Sequence, residues 1–508
     1  MSFKKYYYLF LIIISITLLY WLPYLIKTNS FYPGLRFTGT ISWFDPWDQN
    51  LYKSYINWGK QGHLMFINLY DTISMERLFI YIPYTFFGYL FQNLNLSAST
   101  LYFLMSILCS LVLGFTLNAY YFKLFNRFSI SLFATILALM GGGLGFLFYP
   151  SLGVADISKA LTLFSTISIP HHAISIVLTV CTIYIISFYK FEGLKNLFLI
   201  FILVFLQFII SPYIIANYLL SLGILIVIDI YTKKDFSKLK LLFTILFSFI
   251  LYFLLIGNEI INSQTVKGVV SQKQYSPNLI LIILGLGVIL VFFIYGAVKI
   301  KNYSLTFALV WYLSTLVLIY SPLSSQYLFI RGAYVYFIAI VISGIIKFSS
   351  RNSINDLYIL IGAIVFSSFT FFTIVYKTST ESKFNRYVYL STEEVLGIDE
   401  LNRIGNVGDG VLASNTISNL IPSRTNKRVY SGHELQTPNF PKRSNEVVSF
   451  FLGRMSENEI KNLLDNGNIK YVYYGYEELT LFGNKKISKM LEKVINYGDV
   501  TIYKVNLN

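Results

Sequence analysis

Long apolar runs alternate with short polar connections over most of this chain. A run of about 20 apolar residues is long enough to cross the hydrocarbon core of a bilayer as a helix. The first run covers about Tyr6–Ile26, and further runs follow at about 99–122, 129–148, 172–188, 197–210, 213–230, 239–256, 279–298, 304–320, 328–346 and 357–375. The pattern therefore predicts an α-helical polytopic membrane protein with about 11 spans.

The connections between the runs differ in their positive charge. Lysine and arginine cluster at positions 123/127, 190/195, 233–240, 299/301 and 347/351, and these connections alternate with others that carry few. Because positive loops stay on the cytoplasmic side of a membrane, the alternation places the N-terminus in the cytoplasm. The long first loop, residues 27–98, and everything after residue 376 are then external. The apolar piece Leu78–Phe91 within this loop is short for a span and is predicted to be interfacial or re-entrant.

After residue 376 the chain becomes polar, and short apolar strands alternate with helix-like stretches. Strands are predicted at 411–413, 428–430, 471–474 and 500–505, and helices at 392–403, 446–454, 457–465 and 486–494. Ser456 followed by Glu459 forms a capping box at the start of one of these helices. The alternation predicts a small α/β layer domain. The chain is therefore predicted to divide into a transmembrane domain, residues 1–376, and a soluble external domain, residues 377–508.

The composition supports a membrane protein and excludes several other classes. Of the 508 residues 55% are hydrophobic and only 13% are charged, whereas soluble proteins have roughly a quarter charged residues. The net charge of +15 comes in part from the basic loops, so it does not indicate nucleic-acid binding. The two cysteines, Cys109 and Cys181, each lie inside an apolar run, which excludes a disulfide scaffold.

The first external loop contains two closely spaced carboxylates, Asp45 and Asp48. Asp48 lies at the start of a predicted amphipathic helix whose residues Leu51, Tyr55 and Trp58 fall on one face. Polar groups near the membrane face are costly to bury and tend to be functional. The alternative is that Asp45 or Asp48 only caps the N-terminus of that helix.

Two further sets of residues could bind an anion or a metal. One is the glycine run 141–145, followed by Asp156 and by the pair His171 and His172; simple interfacial histidines explain the pair equally well. The other is Arg331, which the predicted topology places at the external mouth of a span. There its guanidinium could hold a lipid-linked phosphate through two hydrogen bonds, or it could extend toward the lipid headgroups.

Several of these segments resemble the GT-C class of membrane glycosyltransferases, in particular prokaryotic proteins similar to protein O-mannosyltransferases and lipid A aminoarabinose transferases. The resemblance covers most of the chain and is largely architectural. It rests on short motifs, namely Asp48-Gln-Asn-Leu-Tyr52 through Gly62, the glycine run leading to Pro170-His171, Ser321-Pro322 leading to Arg331, Val411-Leu-Ala-Ser, Tyr430-Ser-Gly-His433 and Tyr471-Val. It implies transfer of a sugar from a polyprenyl-phosphate donor, presented from the bilayer of the cell membrane, to an external glycan, lipid or protein.

The resemblance also implies roles for individual residues. The catalytic carboxylate of the family belongs in the first external loop, where Asp48 matches best, followed by Asp45. Arg331, with His171 or His172 and with Arg77, would then stabilise the donor phosphate, and Tyr52, Trp58 and Glu76 would contact the substrate. Asp45-Pro-Trp-Asp48 differs from the Asp-x-Asp of metal-dependent members. No metal ligand or cofactor is therefore assigned, and a requirement for a divalent metal is doubtful.

Two other classes of function fit a polytopic chain. A transporter or flippase of lipid-linked substrates would contain broken central helices and inverted repeats, and no repeat is visible in the sequence. A non-catalytic scaffold that displays the C-terminal domain would tolerate the loss of Asp45 and Asp48.

Overall fold

The structure is dominated by apolar helices and also contains small β-sheets. The computed structural model describes residues 3–41, 46–74, 77–78, 81–144, 169–189, 193–263, 266–267, 275–323, 326–482 and 488–507. In chain order the elements are α1 (Phe3–Tyr20), α2 (Leu22–Asn29), β1 (Leu35–Phe37), α3 (Pro46–Lys60), β2 (Phe66–Ile67), β3 (Arg77–Leu78), α4 (Ile82–Leu90), α5 (Ala98–Phe125), α6 (Phe128–Met140), α7 (Pro170–Phe188), α8 (Leu194–Ile210), α9 (Ile215–Lys233), α10 (Leu239–Asn262), α11 (Leu279–Leu286), α12 (Ile289–Val298), α13 (Tyr303–Ile319), α14 (Ala333–Asn352), α15 (Asp356–Ser379), β4 (Tyr389–Ser391), α16 (Thr392–Leu401), β5 (Gly410–Leu412), α17 (Asn415–Arg424), β6 (Arg428–Val429), α18 (Phe440–Phe451), α19 (Glu457–Asn466), β7 (Ile469–Tyr474), α20 (Tyr476–Phe482), β8 (Leu491–Tyr497) and β9 (Val500–Val505). Short 3-10 helices precede α9, at Pro212–Ile214, and α14, at Gln326–Ile330.

These elements form two compact units, each built from separate stretches of the chain. The helical unit comprises Met1–Leu22, Met105–Asn258 and Gln272–Lys377. The α/β unit comprises Pro23–Leu104, Glu259–Ser271 and Thr378–Asn508. The first loop therefore belongs to the same compact unit as the C-terminal segment, while the predicted division into residues 1–376 and 377–508 stays a prediction.

Apolar helices occupy the places of the predicted membrane spans. Among the described residues, six helices are long and apolar enough to cross a membrane, and two bent pairs of helices raise this number to eight. One bent pair is α11 with α12, which meet at an angle of 98°. Three shorter apolar helices, α6, α8 and α13, lie at other predicted spans. The multi-pass helical architecture is thus confirmed, whereas the count of eleven crossings stays a prediction.

Helices α12 and α14 of the helical unit pack with their backbones in close contact. Two glycines make this approach: Gly296 on α12 and Gly344 on α14. A Cβ atom built on Gly344 would lie 1.9 Å from the carbonyl oxygen of Phe292, and one built on Gly296 would lie 2.3 Å from that of Ile340. Small residues at helix contacts are typical of membrane proteins, because close packing replaces the hydrophobic effect there.

Gly344→Ala is expected to destabilise the helical unit by about 1–3 kcal/mol, because the added methyl group forces α12 and α14 apart. Thermal unfolding of the purified protein in detergent measures this effect. Gly362→Ala on α15 is the matched control, since nothing lies within 4 Å of its Cβ position. Alanine there is expected to leave stability unchanged or to raise it slightly, as alanine is the better helix former. Equal effects at both positions would contradict the proposed close contact.

The α/β unit contains a five-stranded sheet in the order β6-β5-β7-β9-β8. Strands β6, β5 and β7 are parallel, and β9 and β8 continue the sheet in antiparallel pairing. Its core includes buried side chains from strands and helices, such as Leu412, Val447, Phe451, Leu464 and Val472. The alternating strand–helix pattern of the sequence and the capping box at Ser456 and Glu459 are confirmed.

Two details of this region differ from the sequence prediction. The helix predicted at 486–494 is wrong, because residues 491–497 form strand β8. This strand pairs with β9 through a tight turn at Gly498, whose φ of +54° favours glycine, and the cross-strand pairing outweighs the local helical pattern. Helix α17 was not predicted, because it follows β5 directly and is rich in asparagine and serine.

The first loop packs against the C-terminal segment through backbone and side-chain contacts inside the α/β unit. Strand β1 pairs with β4, with Phe37 opposite Tyr389. Helix α3 buries Leu51, Tyr55 and Trp58 of the predicted apolar face. Its polar residues Asn50 and Lys53 are buried as well, so the helix is enclosed on more sides than an amphipathic pattern predicts. Helix α4 lies within the predicted interfacial piece, whose contact with a membrane stays a prediction.

A buried ionic cluster anchors the middle of this loop. The Asp71 carboxylate accepts a hydrogen bond of 2.7 Å from Nη1 of Arg443. The fully buried Arg428 donates to the carbonyl oxygens of Asp71 and Ser74. Removing one partner of a buried, hydrogen-bonded ion pair is strongly destabilising, so the cluster holds the loop firmly against β6 and α18.

Candidate functional site

Asp48 lies in the first turn of α3, at the N-terminal end of a helix that is otherwise largely buried. Its side chain is 26% exposed, and its Oδ1 lies 3.2 Å from Nε2 of His433, which is 2% exposed. Asp48 is the third residue of the helix, so the interpretation that it is the N-cap is wrong. A partly exposed carboxylate with one oxygen in contact with an imidazole can accept a proton on its other oxygen.

His433 reaches Asp48 from the loop that follows β6, at the carboxyl end of a parallel strand. Ligand sites in α/β sheets lie outside the carboxyl ends of the strands, and β5 and β7 end at this same edge. Sequence reasoning assigned no role to this histidine. Its place directly after a short apolar strand, within Tyr430-Ser-Gly-His433, was the signal that could have found it.

Aromatic rings surround the helical turn that follows Asp48. Tyr52 is buried and stacks on Tyr84, with ring centroids 4.7 Å apart and an interplanar angle of 11°. Burial raises the pKa of the Tyr52 hydroxyl well above its usual value, and the nearby Asp48 carboxylate raises it further. Tyr52 therefore stays neutral and helps to form the wall behind Asp48.

A neighbouring buried lysine holds the segment before α3 in place. Lys53 donates to the carbonyl oxygen of Gly39 at 2.5 Å and to Oγ1 of Thr40 at 2.8 Å. The side chain of Gln49 holds the same segment through two hydrogen bonds: it accepts one from the backbone N–H of Ile41 and donates one to the carbonyl oxygen of Ile41. Burial lowers the pKa of the Lys53 ammonium group well below its usual value, and the Arg424 charge lowers it further. Residues 39–41 are thus fixed against α3.

Trp58 lies at the other end of α3 and borders a cavity of about 830 Å³. Its Nε1 donates to the carbonyl oxygen of Met65 at 3.0 Å, and its ring stacks on His63 with centroids 4.0 Å apart. His63, Leu64 and Tyr89 line the same cavity. The aromatic wall offers the kind of flat apolar surface on which a sugar ring can stack.

The predicted phosphate-binding residues of the helical unit lie at helix starts. Arg331 follows the second 3-10 helix and precedes α14; its Nη1 donates to the hydroxyl of Tyr213 at 2.8 Å. Its guanidinium also lies 5.4 Å from the centre of the Tyr213 ring. His171 and His172 occupy the first turn of α7, are largely buried, and have ring centroids 4.3 Å apart.

Several predicted site residues lie outside the described part of the chain. Asp45, Glu76 and Asp156 are among them, and Arg77 is described only by its backbone, in strand β3. Within the described ranges, no group of three or more histidine, cysteine, aspartate or glutamate side chains is arranged to hold a metal ion.

The comparisons by sequence found no match for this chain, whereas the comparison with solved structures found several. No family model matches the chain, and no curated protein matches it in sequence. Two solved structures of similar fold are ArnT from Cupriavidus metallidurans bound to undecaprenyl phosphate and the archaeal oligosaccharyltransferase AglB from Archaeoglobus fulgidus with an inhibitory peptide and a dolichol-phosphate. Both are GT-C glycosyltransferases. The chain has a GT-C fold.

The structural similarity covers nearly all of this chain, although few of the aligned residues are identical. ArnT has 8% identity and a TM-score of 0.57 over 99% of this chain and 98% of its own. AglB has 12% identity and a TM-score of 0.51 over 93% of this chain and 70% of its own. A second structure of the Archaeoglobus enzyme, with zinc and sulfate, has 12% identity and a TM-score of 0.53 over 92% and 67%. The resemblance to GT-C proteins and the predicted membrane fold class are therefore confirmed.

Proposed function

We propose that this protein is a membrane glycosyltransferase that moves a sugar from a polyprenyl-phosphate donor to an external glycan, lipid or protein acceptor. The observation that carries the proposal is the partly exposed Asp48 carboxylate, held by His433 in the long first loop of a chain with a GT-C fold. Further support comes from ArnT and AglB, whose structures contain undecaprenyl phosphate and a dolichol-phosphate.

In the proposed reaction Asp48 is the general base. Its carboxylate takes the proton of the acceptor hydroxyl as the hydroxyl oxygen attacks the anomeric carbon of the sugar. The new bond forms on the face opposite the phosphate, so the configuration inverts. The bond from the anomeric carbon to the phosphate oxygen breaks, and the polyprenyl phosphate leaves with its added negative charge.

Cationic and hydrogen-bonding groups are proposed to stabilise that developing charge. Arg331 is the main candidate, assisted by His171 or His172 and by Arg77. Tyr52, Trp58 and Glu76 are proposed to complete the substrate contacts; Trp58 borders the aromatic cavity, which suits a sugar face. Asp45 is the alternative base, three residues earlier in the sequence.

The proposed function is tested by incubating the purified protein with a panel of radiolabelled polyprenyl-phosphate sugars and measuring sugar transfer or release. Omitting the acceptor and substituting polyprenyl phosphate without sugar are the controls. Parallel reactions with EDTA, and with divalent cations restored, test the metal requirement, which the proposed step does not include. Flipping of the lipid without transfer would instead indicate the transporter class.

A tag placed after Asn508 is expected to be accessible to antibody on intact cells, because the predicted topology puts the C-terminal segment outside. A tag before Met1 is the matched control and should be protected until the membrane is permeabilised. The reverse pattern would overturn the orientation and the external placement of Asp48.

A further inference from the structure

We infer that His433 is a positioning residue for Asp48 and acts as a neutral imidazole that donates its Nε2 hydrogen to the carboxylate. This inference rests on the proposed function only in taking Asp48 as the base. It assigns to the C-terminal segment a direct part in the site, through a residue that lies 385 positions from Asp48 in sequence.

The hydrogen bonds to the imidazole define its tautomer. The backbone N–H of Leu435 donates to Nδ1 of His433 at 3.2 Å, so Nδ1 must carry a lone pair. A neutral imidazole with an unprotonated Nδ1 carries its proton on Nε2. Nε2 lies 3.2 Å from Oδ1 of Asp48 and is therefore the donor in that contact. Imidazolium at this position would lose the hydrogen bond from Leu435.

The turn that carries His433 is rigidly held. Oγ1 of Thr437 accepts hydrogen bonds from the backbone N–H groups of Gly432 and His433, at 3.2 Å and 3.4 Å. The same hydroxyl donates to the carbonyl oxygen of Tyr70 at 3.1 Å. Gly432 is required here, since a Cβ atom would lie 2.8 Å from the carbonyl oxygen of Ser418. The backbone around the imidazole therefore has little freedom to move.

A continuous chain of buried hydrogen bonds connects this turn with α3, the helix that carries Asp48. Lys53 donates to Thr40 at 2.8 Å, Thr40 to Asn50 at 2.7 Å, and Asn50 to Asn419 at 2.8 Å. Asn419 then donates to the carbonyl oxygen of Gly432 at 3.0 Å. All four donor side chains are at most 1% exposed. This network fixes the distance between Asp48 and His433.

The two carboxylate oxygens of Asp48 have different roles in the proposed reaction. Oδ1 is held by the imidazole N–H, which stabilises the ionised carboxylate and fixes its plane. In the proposed reaction Oδ2 accepts the proton of the acceptor hydroxyl. Because Nδ1 accepts from Leu435 and Nε2 already carries a proton, His433 has no free lone pair and cannot itself be the base. Its effect on catalysis passes through Asp48.

The activity test compares two substitutions. His433→Leu removes the donor and is expected to lower kcat by about 10- to 100-fold, with KM for donor and acceptor little changed. His433→Gln, whose amide nitrogen can occupy the place of Nε2, is expected to restore most of this loss. Adding His433→Leu to Asp48→Asn should cost almost nothing more, because the histidine acts through the carboxylate. Glu434→Gln, at the exposed neighbouring position, is the matched control.

A measurement independent of activity uses the four histidines of the chain. The protein is labelled with nitrogen-15 at its histidines and studied by NMR. The imidazole signals that disappear in the His433→Gln variant belong to His433. They are expected to show a protonated Nε2 and an unprotonated Nδ1 at neutral pH, and to shift in Asp48→Asn. An Nδ1-protonated ring, or an imidazolium, would overturn the inference. Full kcat in a folded His433→Leu protein would also overturn the positioning role of His433, and Asp48 would remain the proposed base. Full kcat in Asp48→Asn would instead refute the assignment of Asp48 as the base.

Discussion

Asp48→Asn is expected to lower kcat by about 10²–10⁴-fold, because an amide cannot take the acceptor proton. The replacement is nearly isosteric, and its amide oxygen can still accept the hydrogen bond from Nε2 of His433. Position and packing are therefore kept while basicity is lost. Steady-state kinetics at saturating donor and acceptor measure the effect, and the thermal unfolding temperature confirms that the protein is intact.

Asp465→Asn is the matched control for this prediction. It makes the same chemical change at an exposed position of α19 in the same unit, and it should leave kcat unchanged. If Asp48→Asn is as active as the parent, Asp48 is not the base, and the same substitution at Asp45 becomes the next experiment.

Arg331→Lys is expected to lower kcat/KM for the donor by about tenfold, and Arg331→Gln by about 100-fold. Lysine keeps the charge but loses the planar fork that binds two phosphate oxygens, and glutamine loses the charge as well. Kinetics at varied donor concentration separate the two variants. An arginine that only extends toward lipid headgroups would be replaced by lysine without loss.

Two controls accompany this comparison. Arg351→Gln changes an exposed arginine at the far end of α14 and should leave donor use unaffected. Tyr213→Phe removes the hydroxyl that accepts from Arg331 and tests whether that contact orients the guanidinium. If Arg331→Lys matches the parent in both kcat and donor KM, the phosphate-clamp role is refuted.

The parts of the fold that depend on local pattern were predictable. Apolar runs of spanning length and the amphipathic face of α3 are encoded within 15–25 neighbouring residues, so their helices follow directly from the sequence. Strand β8 was mistaken for a helix because its conformation depends on pairing with β9. The sequence pattern also could not predict that the first loop belongs to the α/β unit, because pairs such as β1 with β4 join segments about 350 residues apart.

The candidate site was predicted only in the half that carries a local signal. Asp48 lies at the start of a predicted amphipathic helix in the long first loop, and this context, together with the GT-C resemblance, singled it out. His433 contacts Asp48 because the loop after β6 meets the first turn of α3, and no spacing rule connects positions 48 and 433. Its position directly after a short apolar strand was the one local signal, and that signal does not show that Leu435 and Thr437 fix the imidazole beside Asp48.

The buried pair of Asp71 and Arg443 has a consequence for biosynthesis, because its partners are separated by 372 residues. Ribosomes add about 5–20 residues per second, so roughly 20–70 s pass between the emergence of Asp71 and that of Arg443. During this interval the first loop lacks the strand and helices against which it folds. The first loop therefore cannot reach its final fold until Arg443 has been synthesised. In a stalled or truncated chain it stays accessible to the proteases and chaperones that act on incompletely folded proteins.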